Sequence, residues 1–452
     1  MTLILSLKLC VFQDKVPHFA LLGSGGGQRA MVGLLGSLVQ LDKAGLLDCI
    51  LYLSGVSGST WCMASLYQEP DWSTKLETMK NKIIKRLSGP KVSWGDAFAK
   101  LKKYYYEKDI FSLTDVWAVL VVTEYVKEID ENTLTEKQNQ HSEDPFPIYT
   151  VIDKQYKQSK DEKDSWFEIS PHEAGYSLTG AFVGTSSFGS QFDKGSKKKP
   201  QPETDMLYLQ ALCGSALADG EEIKKFLWQK IKDFFKHLFP IMQSEMFDEM
   251  RKAPPAEKGY QVLMDLVDMN LAVLNGKEPS AFEQSIRTTL NDETVPHTLL
   301  KSEKRDYEDA GLLLNSPYFS MLREERNIDL IISLDFSEGD PFMTVREAAD
   351  MCKKLKIPFP EVNIPSEDVE KPKDFYVFKG KNAPTVIHIP LFNVVNCGDN
   401  IEAWWNNYGT FQDSYSAEMI TDLMDVAGKN ISNNREKLKE QIQAVIEQKL
   451  HK

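Results

Sequence analysis

Two strand-glycine-helix units follow each other near the start of this 452-residue chain and constrain its fold more than any other feature. In the first, the apolar run Val16–Leu22 leads into the glycine cluster Gly23–Gly27 and a helical pattern over Met31–Leu47. In the second, the apolar run 49–54 leads into Gly55-Val-Ser57-Gly-Ser-Thr-Trp61. Short apolar runs that pass through a glycine turn into a helix are the building units of α/β folds. The sequence therefore predicts an α/β fold.

The turn around Ser57 has the form of a nucleophile elbow. A serine flanked by glycines after a buried strand is exposed and strained, and the amides of the following helix point at it. The usual motif is Gly-x-Ser-x-Gly, whereas this one ends in Ser59, so the same residues also fit an ordinary tight turn. Ser57 is accordingly a candidate nucleophile, with a tight turn as the alternative.

Several kinds of site fit the glycine cluster upstream of Ser57. Gly25, Gly27 and Ala30 match the dinucleotide-binding pattern, but the acidic residue that such a site needs is replaced by Ser54 and Gly55 at the end of the second strand. No Gly-Lys-Ser/Thr follows, which excludes a P-loop. One remaining interpretation is an oxyanion hole in which the Gly26 and Gly27 amides stabilise charge on an attacked ester. The other is a connector without a ligand.

A serine nucleophile needs a base, and two arrangements are open. Ser57, Asp309 and His388 occur in the chain order of an α/β-hydrolase triad, although a histidine within an apolar run is commonly a core residue. Alternatively, the tight Asp309-Ala-Gly311 turn presents the carboxylate directly to the serine. Asp-Ala-Gly is also an ordinary turn sequence.

Composition narrows the class of protein. The formal net charge of −13 argues against nucleic acid as a general partner. Six scattered cysteines without a Cys-x-x-Cys pair indicate reduced thiols and no metal site. The apolar start 1–12 carries Lys8 and lacks the flanks of a signal peptide, so we expect a strand or tail there. No apolar stretch is long enough for a spanning helix.

Strand patterns return at 327–336, 375–379 and 385–392, with helical patterns at 344–355 and 434–448. The simplest organisation is one domain, 1–452, whose core is split by a helical cap at about 216–305. Within the cap, 221–240 has a wide apolar face and a lysine-rich side, which fits either packing on the core or a membrane interface. The basic segment 192–200 is typical of a solvated turn.

Taken together, these motifs resemble the group IV cytosolic phospholipases A2, a patatin-related family, and among them the gamma type that lacks a C2 domain. The matching pieces follow the family order across nearly the whole chain: Gly23–Ala30, Gly55–Trp61, Pro171–Gly175, Phe188–Ser190, Gly214–Ala216, Asp309–Gly311 and Ile328–Phe336. The resemblance implies a central, mostly parallel sheet with flanking helices and an inserted helical cap.

The resemblance also implies the roles of individual residues. Ser57 would be the nucleophile, Asp309 the base of a dyad without histidine, and Gly26 with Gly27 the oxyanion hole. Arg29 and Arg326 fall where the family places arginines that engage the substrate phosphate or support the site, and the charged planar guanidinium suits phosphate binding.

The resemblance implies a calcium-independent phospholipase A2 and lysophospholipase, with possible transacylation, that acts on glycerophospholipids and lysophospholipids through an acyl-enzyme. We expect a cytoplasmic protein that associates peripherally with intracellular membranes. No cofactor, metal or nucleic acid is expected. No prenylated C-terminal cysteine is expected either, since the chain ends Gln448-Lys-Leu-His-Lys452. The alternatives are a non-catalytic lipid-binding protein of this fold and a Ser-Asp-His esterase that uses His388.

Overall fold

The computed structural model describes residues 16–108, 111–136, 140–141, 143–159, 165–193, 196–214, 230, 305–410 and 412–451. The strands are β1 His18–Gly23, β2 Tyr52–Gly55, β3 Phe146–Asp153, β4 Trp166–Ile169, β5 Glu173–Tyr176, β6 Ala181–Gly184, β7 Gln191–Asp193, β8 Ser196–Lys199, β9 Tyr307–Asp309, β10 Ile328–Asp335, β11 Tyr376–Phe378 and β12 Thr385–Pro390.

The α-helices are α1 Gly27–Lys43, α2 Gly58–Leu66, α3 Leu76–Leu87, α4 Trp94–Glu107, α5 Leu113–Trp117, α6 Thr123–Val126, α7 Lys154–Ser159, α8 Met206–Cys213, α9 Tyr318–Met321, α10 Met343–Leu355, α11 Ser366–Glu370, α12 Val394–Cys397, α13 Ile401–Asn407, α14 Ala417–Asn433 and α15 Arg435–Leu450. A π-helical turn, Ala118–Val122, joins α5 to α6. Within the described ranges, no helix combines the length and the apolar composition needed to cross a bilayer.

The central sheet has a parallel middle and antiparallel edges. Its order is β11-β12-β10-β1-β2-β3-β4-β5-β6, with β9 paired to β3, and the strands from β12 to β3 run parallel. The polypeptide therefore leaves β1, β2 and β10 at the same edge, the edge where open α/β sheets bind ligands. The predicted α/β fold with a central, mostly parallel sheet is confirmed.

Helices cover both faces of this sheet. Successive residues of β1 belong to different apolar clusters: Leu21 packs with the α1 and α14 side of the sheet and Leu22 with the α9 and α10 side. Successive side chains of a strand point to opposite faces, so a central strand buried on both sides is apolar throughout. This burial explains the unbroken apolar runs in the sequence.

Most of the predicted elements near the glycine turns are present, with shifted bounds. Helix α1 begins at Gly27, inside the glycine cluster, rather than at Met31. The strands predicted at 327–336, 375–379 and 385–392 correspond to β10, β11 and β12. The antiparallel strands β3 to β6 have no counterpart among the strands predicted from sequence.

The predicted cap at 216–305 lies outside the described residues except for Lys230 and Arg305. The amphipathic segment 221–240, apart from Lys230, and the N-terminal stretch 1–12 also lie outside the described residues. Lys230 pairs with Glu124 across 2.5 Å, which places one residue of the predicted cap beside α6.

Candidate active site

Ser57 lies between β2 and α2 in a strained backbone conformation. Its φ of 51° and ψ of −123° belong to the left-handed half of conformational space, which costs free energy for a residue with a side chain. The turn is tied down on both sides, because the Thr60 hydroxyl donates to the Ser57 carbonyl at 2.5 Å and the Val56 amide donates to Gly23 at 3.1 Å. Ser57 is half-buried as a residue, so the turn is partly accessible from outside the protein. These are the features expected of a nucleophile elbow.

The glycine cluster packs directly against this elbow. A Cβ atom added to Gly58 would lie 1.8 Å from the carbonyl oxygen of Gly27. The two turns therefore touch through backbone atoms, and a side chain at position 58 has no space. This contact fixes the distance between the glycine loop and the serine.

The glycine loop offers two amides beside Ser57. Gly26 and Gly27 have φ values of 149° and 57°, and Gly27 is the first residue of α1. Within the described ranges, neither amide has a hydrogen-bond acceptor in the protein. Amides at a helix N-terminus are suited to bind an anion. The placement is compatible with the predicted oxyanion hole, which stays a prediction.

Asp309 comes to Ser57 from another part of the sheet. It ends β9, which pairs with β3 so that Asp309 lies opposite Val151, and its side chain is 5% exposed. Burial raises the pKa of Asp309 to about 6. The hydroxyl of Ser57 and the amide of Gly311, which donates to Asp309 Oδ1 at 2.8 Å, lower the same pKa as hydrogen-bond donors. The structure thus brings the candidate nucleophile and the candidate base together, with the base able to hold a proton near neutral pH.

The residues that brace the glycine loop were missed in the sequence. The Asn315 side chain donates to the carbonyl of Gly25 at 3.2 Å and thereby joins the Asp309 segment to the loop. On the opposite side, the Ser24 hydroxyl donates to Asp335 Oδ1 at 3.2 Å, while its carbonyl accepts from the Ser59 hydroxyl at 2.7 Å. The sequence signal that could have identified these residues is a polar side chain at the end of a buried strand, as in Asp335, or after a tight turn, as in Asn315.

Arg29 is fully buried beneath the glycine loop. Its Nε donates to the carbonyl of Phe336 at 2.8 Å, its Nη1 donates to the carbonyl of Tyr408 at 2.6 Å, and its guanidinium lies 4.8 Å from the Trp405 ring centroid. Burial lowers the pKa of Arg29, with Glu338 acting in the opposite direction. These bonds hold the loop to the C-terminal segment. A phosphate would have to compete with them, and the phosphate-binding role of Arg29 stays a prediction.

Arg326 is also engaged with protein groups. Its two terminal nitrogens donate to the two carboxylate oxygens of Glu168 at 2.5 and 3.0 Å, and it also bonds the Ser320 carbonyl. Arg323 shares the same carboxylate at 2.7 Å. The pairing joins β4 to the segment before β10, and a phosphate-binding role for Arg326 likewise stays a prediction.

His388 does not lie beside Ser57. It is buried in β12, where its Nε2 donates to the carbonyl of Pro341 at 2.7 Å and stands 3.8 Å from Asp335. Strands β10 and β1 separate β12 from β2, a span of about 14 Å at the usual strand spacing. The geometry therefore supports the pair of Ser57 and Asp309 and gives no support to a triad through His388.

The chain matches known proteins across most of its length. Residues 19–219 match the family described as the lysophospholipase catalytic domain. The chain is 32% identical to human cytosolic phospholipase A2 gamma in an alignment of 493 positions that covers 95% of this chain and 90% of that protein. It is also 32% identical to the mouse gamma protein, with 95% of this chain and 86% of that protein covered.

The fold has solved counterparts. A structure of human GIVD cytosolic phospholipase A2 superimposes with a TM-score of 0.73 at 22% identity, covering 96% of this chain and 63% of that longer chain. A second structure, the same protein in complex with methyl gamma-linolenyl fluorophosphonate, gives 0.69 at 23% identity over 97% of this chain and 60% of that chain. The resemblance seen in the sequence motifs is thereby confirmed. This chain belongs to the cytosolic phospholipase A2 family.

Proposed function

We propose that this chain hydrolyses fatty-acyl esters of glycerophospholipids and lysophospholipids through an acyl-enzyme on Ser57. The observation that carries the proposal is the pairing of Ser57, strained at φ 51° on an elbow, with the buried carboxylate of Asp309. The names of the relatives support the choice of a phospholipid ester.

In the acylation half of the proposed reaction, Asp309 accepts the hydroxyl proton while Ser57 Oγ attacks the ester carbonyl. The amides of Gly26 and Gly27 stabilise the resulting oxyanion. Collapse of this intermediate breaks the bond to the glycerol oxygen, which leaves as an alcohol after it takes the proton from Asp309. The product is a lysophospholipid, or the glycerophospho-alcohol when a lysophospholipid is the substrate.

Deacylation repeats the same steps with water. Asp309 removes a proton from water, the hydroxide attacks the acyl-Ser57 carbonyl, and the serine oxygen leaves with that proton while the fatty acid is released. Replacing water with the hydroxyl of a second lipid gives a transacylation by the same chemistry. A carboxylate with a pKa near 6 suits both directions of transfer better than one near 4, because catalytic bases work best near the operating pH.

We further propose that turnover needs no calcium, that the protein is cytosolic and meets its substrate by peripheral association with membranes, and that 216–305 forms a cap within one catalytic domain. Arg29 and Arg326 are kept as candidate phosphate contacts. Activity on liposomes should then be unchanged by excess chelator. Loss of activity on chelation that calcium alone restores would contradict this part of the proposal.

The dyad is tested with a fluorophosphonate probe and three variants. Only an activated serine should label, so wild type should react covalently at Ser57 and Ser57→Ala should not. Asp309→Ala should lose labelling and turnover, whereas His388→Gln, which keeps a donor for Pro341, should retain most of both. A loss of roughly a hundredfold in His388→Gln would indicate a triad, since a general base contributes about that much or more. A folded wild-type protein that binds phospholipid without labelling would be a non-catalytic lipid-binding protein.

A further inference from the structure

An exposed carboxylate, that of Glu338, lies beside the glycine loop. Glu338 follows the end of β10 by three residues, and its side chain is 55% exposed. A Cβ atom added to Gly26 would lie 2.8 Å from the carbonyl oxygen of Phe336, two residues before Glu338. A Cβ atom added to Gly27 would lie 2.9 Å from the carbonyl oxygen of Thr410, whose hydroxyl donates to Glu338 Oε2 at 3.0 Å. Glu338 is therefore held at the exposed rim of this loop.

The carboxylate of Glu338 is the counter-ion of Arg29. Its Oε2 lies 3.5 Å from Arg29 Nη1, and within the described ranges no other carboxylate lies within ion-pair distance of that guanidinium. The Thr410 hydroxyl joins the same two side chains, since it accepts from Arg29 Nη2 at 3.2 Å and donates to Glu338. The charges of Arg29 and Glu338 therefore compensate each other.

The two members of this ion pair differ in burial and in how firmly they are held. The Arg29 side chain is 1% exposed, and backbone carbonyls and the Trp405 ring cover its other sides. The contact of 3.5 Å with Glu338 is longer than the roughly 2.8 Å of a close charge-assisted hydrogen bond. Glu338 is thus the exposed and loosely held partner. An anion that reaches Arg29 from solvent has to take the place of this carboxylate.

We propose that Glu338 occupies the phosphate position of Arg29 in the ligand-free protein, and that a phospholipid binds by exchanging its phosphate for this carboxylate. A buried guanidinium needs a counter-charge, which Glu338 provides before binding and the phosphate provides afterwards. The released carboxylate is exposed, so water solvates its charge. The exchange rests on the proposed function and on Arg29 as a phosphate contact.

The exchange makes Glu338 a specificity-determining residue. A free anion such as inorganic phosphate gains the contact with Arg29 only by breaking the contact between Arg29 and Glu338, so its net affinity is small. A phospholipid also removes its acyl chain from water, and this burial offsets the loss of the ion pair. Glu338 therefore selects phosphate groups that carry an acyl chain over free anions.

Binding is measured by isothermal titration calorimetry with short-chain lysophosphatidylglycerol below its micelle concentration, a ligand whose headgroup carries no charge beyond the phosphodiester. All proteins carry Ser57→Ala, so that hydrolysis cannot consume the ligand. The test variant is Glu338→Gln, which removes the charge and keeps an oxygen that can accept from Thr410. Because an exposed ion pair contributes up to about fivefold, this variant should bind lysophosphatidylglycerol about three- to fivefold more tightly than its Ser57→Ala parent.

The matched control, Glu77→Gln, removes a glutamate of similar exposure, 57%, that pairs with Lys80 in α3. Glu77 lies close enough to Lys43, the last residue of α1, to interact with it, and α1 is about 25 Å long from the glycine loop. The control should bind like the parent, because such a distance exceeds the Debye length of about 10 Å. A monoacylglycerol with the same acyl chain and no phosphate should bind Glu338→Gln and the parent equally. Inorganic phosphate should displace lysophosphatidylglycerol from Glu338→Gln at lower concentration than from the parent.

Several results would overturn the exchange. One is equal affinity of Glu338→Gln and the parent for lysophosphatidylglycerol, or no binding of this ligand by either. Another is a gain of the same size in Glu77→Gln or with the monoacylglycerol. A third is weaker binding of both ligands by Glu338→Gln together with a lower melting temperature, which would make Glu338 a structural residue only. A failure of Ser57 to label with fluorophosphonate in wild type would overturn the proposed function and leave the binding comparison standing.

Discussion

The contact between Gly58 and Gly27 makes a quantitative prediction about catalysis. In Gly58→Ala the new methyl carbon would lie 1.8 Å from the Gly27 carbonyl oxygen, whereas carbon and oxygen atoms normally approach to about 3.3 Å. The loop and the elbow must therefore separate by about 1.5 Å. A displacement of about 1 Å in a catalytic constellation can cost a hundredfold in rate, so we expect kcat to fall by at least that factor.

The matched control is Gly184→Ala at the end of β6. An added Cβ at Gly184 meets no atom within 4 Å, and its φ of −57° is acceptable to alanine. This variant should keep kcat within about twofold of wild type, because a surface substitution without a contact changes little. Both variants are assayed on a soluble ester and on phospholipid vesicles, with the melting temperature measured in parallel.

Measuring kcat together with the melting temperature distinguishes displacement of the glycine loop from unfolding of the protein. A Gly58→Ala protein that remains folded at the assay temperature should bind substrate with a similar KM and turn it over slowly, since the displaced amides act on the transition state. Unchanged kcat in folded Gly58→Ala would refute the assignment of the glycine loop to the oxyanion. A fall in kcat of the same size in Gly184→Ala would show that the effect is not specific to this contact.

Further predictions concern the carboxylate and the two braces. Because burial raises the pKa of Asp309 to about 6, kcat/KM should fall about tenfold per pH unit below that value, and a profile flat to pH 5 would contradict the role of base. Because the buried carboxylate of Asp309 is charged above its raised pKa, it destabilises the fold as the pH rises from about 4 to about 6. The free energy of unfolding of inactive Asp309→Asn should therefore exceed that of wild type at pH 8 by up to about 3 kcal/mol, but not at pH 3.5. Asn315→Ala removes the hydrogen bond to the Gly25 carbonyl and should lower kcat about tenfold with little change in melting temperature. Equal kcat values for Asn315→Ala and wild type would show that this hydrogen bond does not position the glycine loop. Arg29→Met leaves the carbonyls of Phe336 and Tyr408 without their buried donor and should reduce the free energy of unfolding by about 3 kcal/mol in urea titrations, whereas a loss below about 1 kcal/mol would show that water replaces the guanidinium.

Local features of the site were readable from the sequence because they depend on neighbouring residues. A glycine cluster after an apolar run, and a serine between glycines before a helix, impose the same backbone conformation wherever they occur. The positive φ of Ser57 is the direct result, whereas the start of α1 at Gly27, four residues before the predicted Met31, was not read from the pattern. The same locality explains why β10 and β12 were predicted, since strands buried on both faces are apolar throughout.

Which residue faces Ser57 was not decided by the local sequence. Asp309 and His388 were both acceptable bases, and the choice depends on strand order, which pairs β9 with β3 and places two strands between His388 and the elbow. The strands β3 to β6 were also missed, because their pairing is a property of the whole sheet.

The raised pKa of Asp309 is likewise a property of burial and not of the Asp-Ala-Gly sequence. The sequence by itself determined the conformation of each turn, since φ and ψ preferences act over a few residues. Only the tertiary structure decided which turns meet, because contacts between residues more than two hundred positions apart are set by packing around one core.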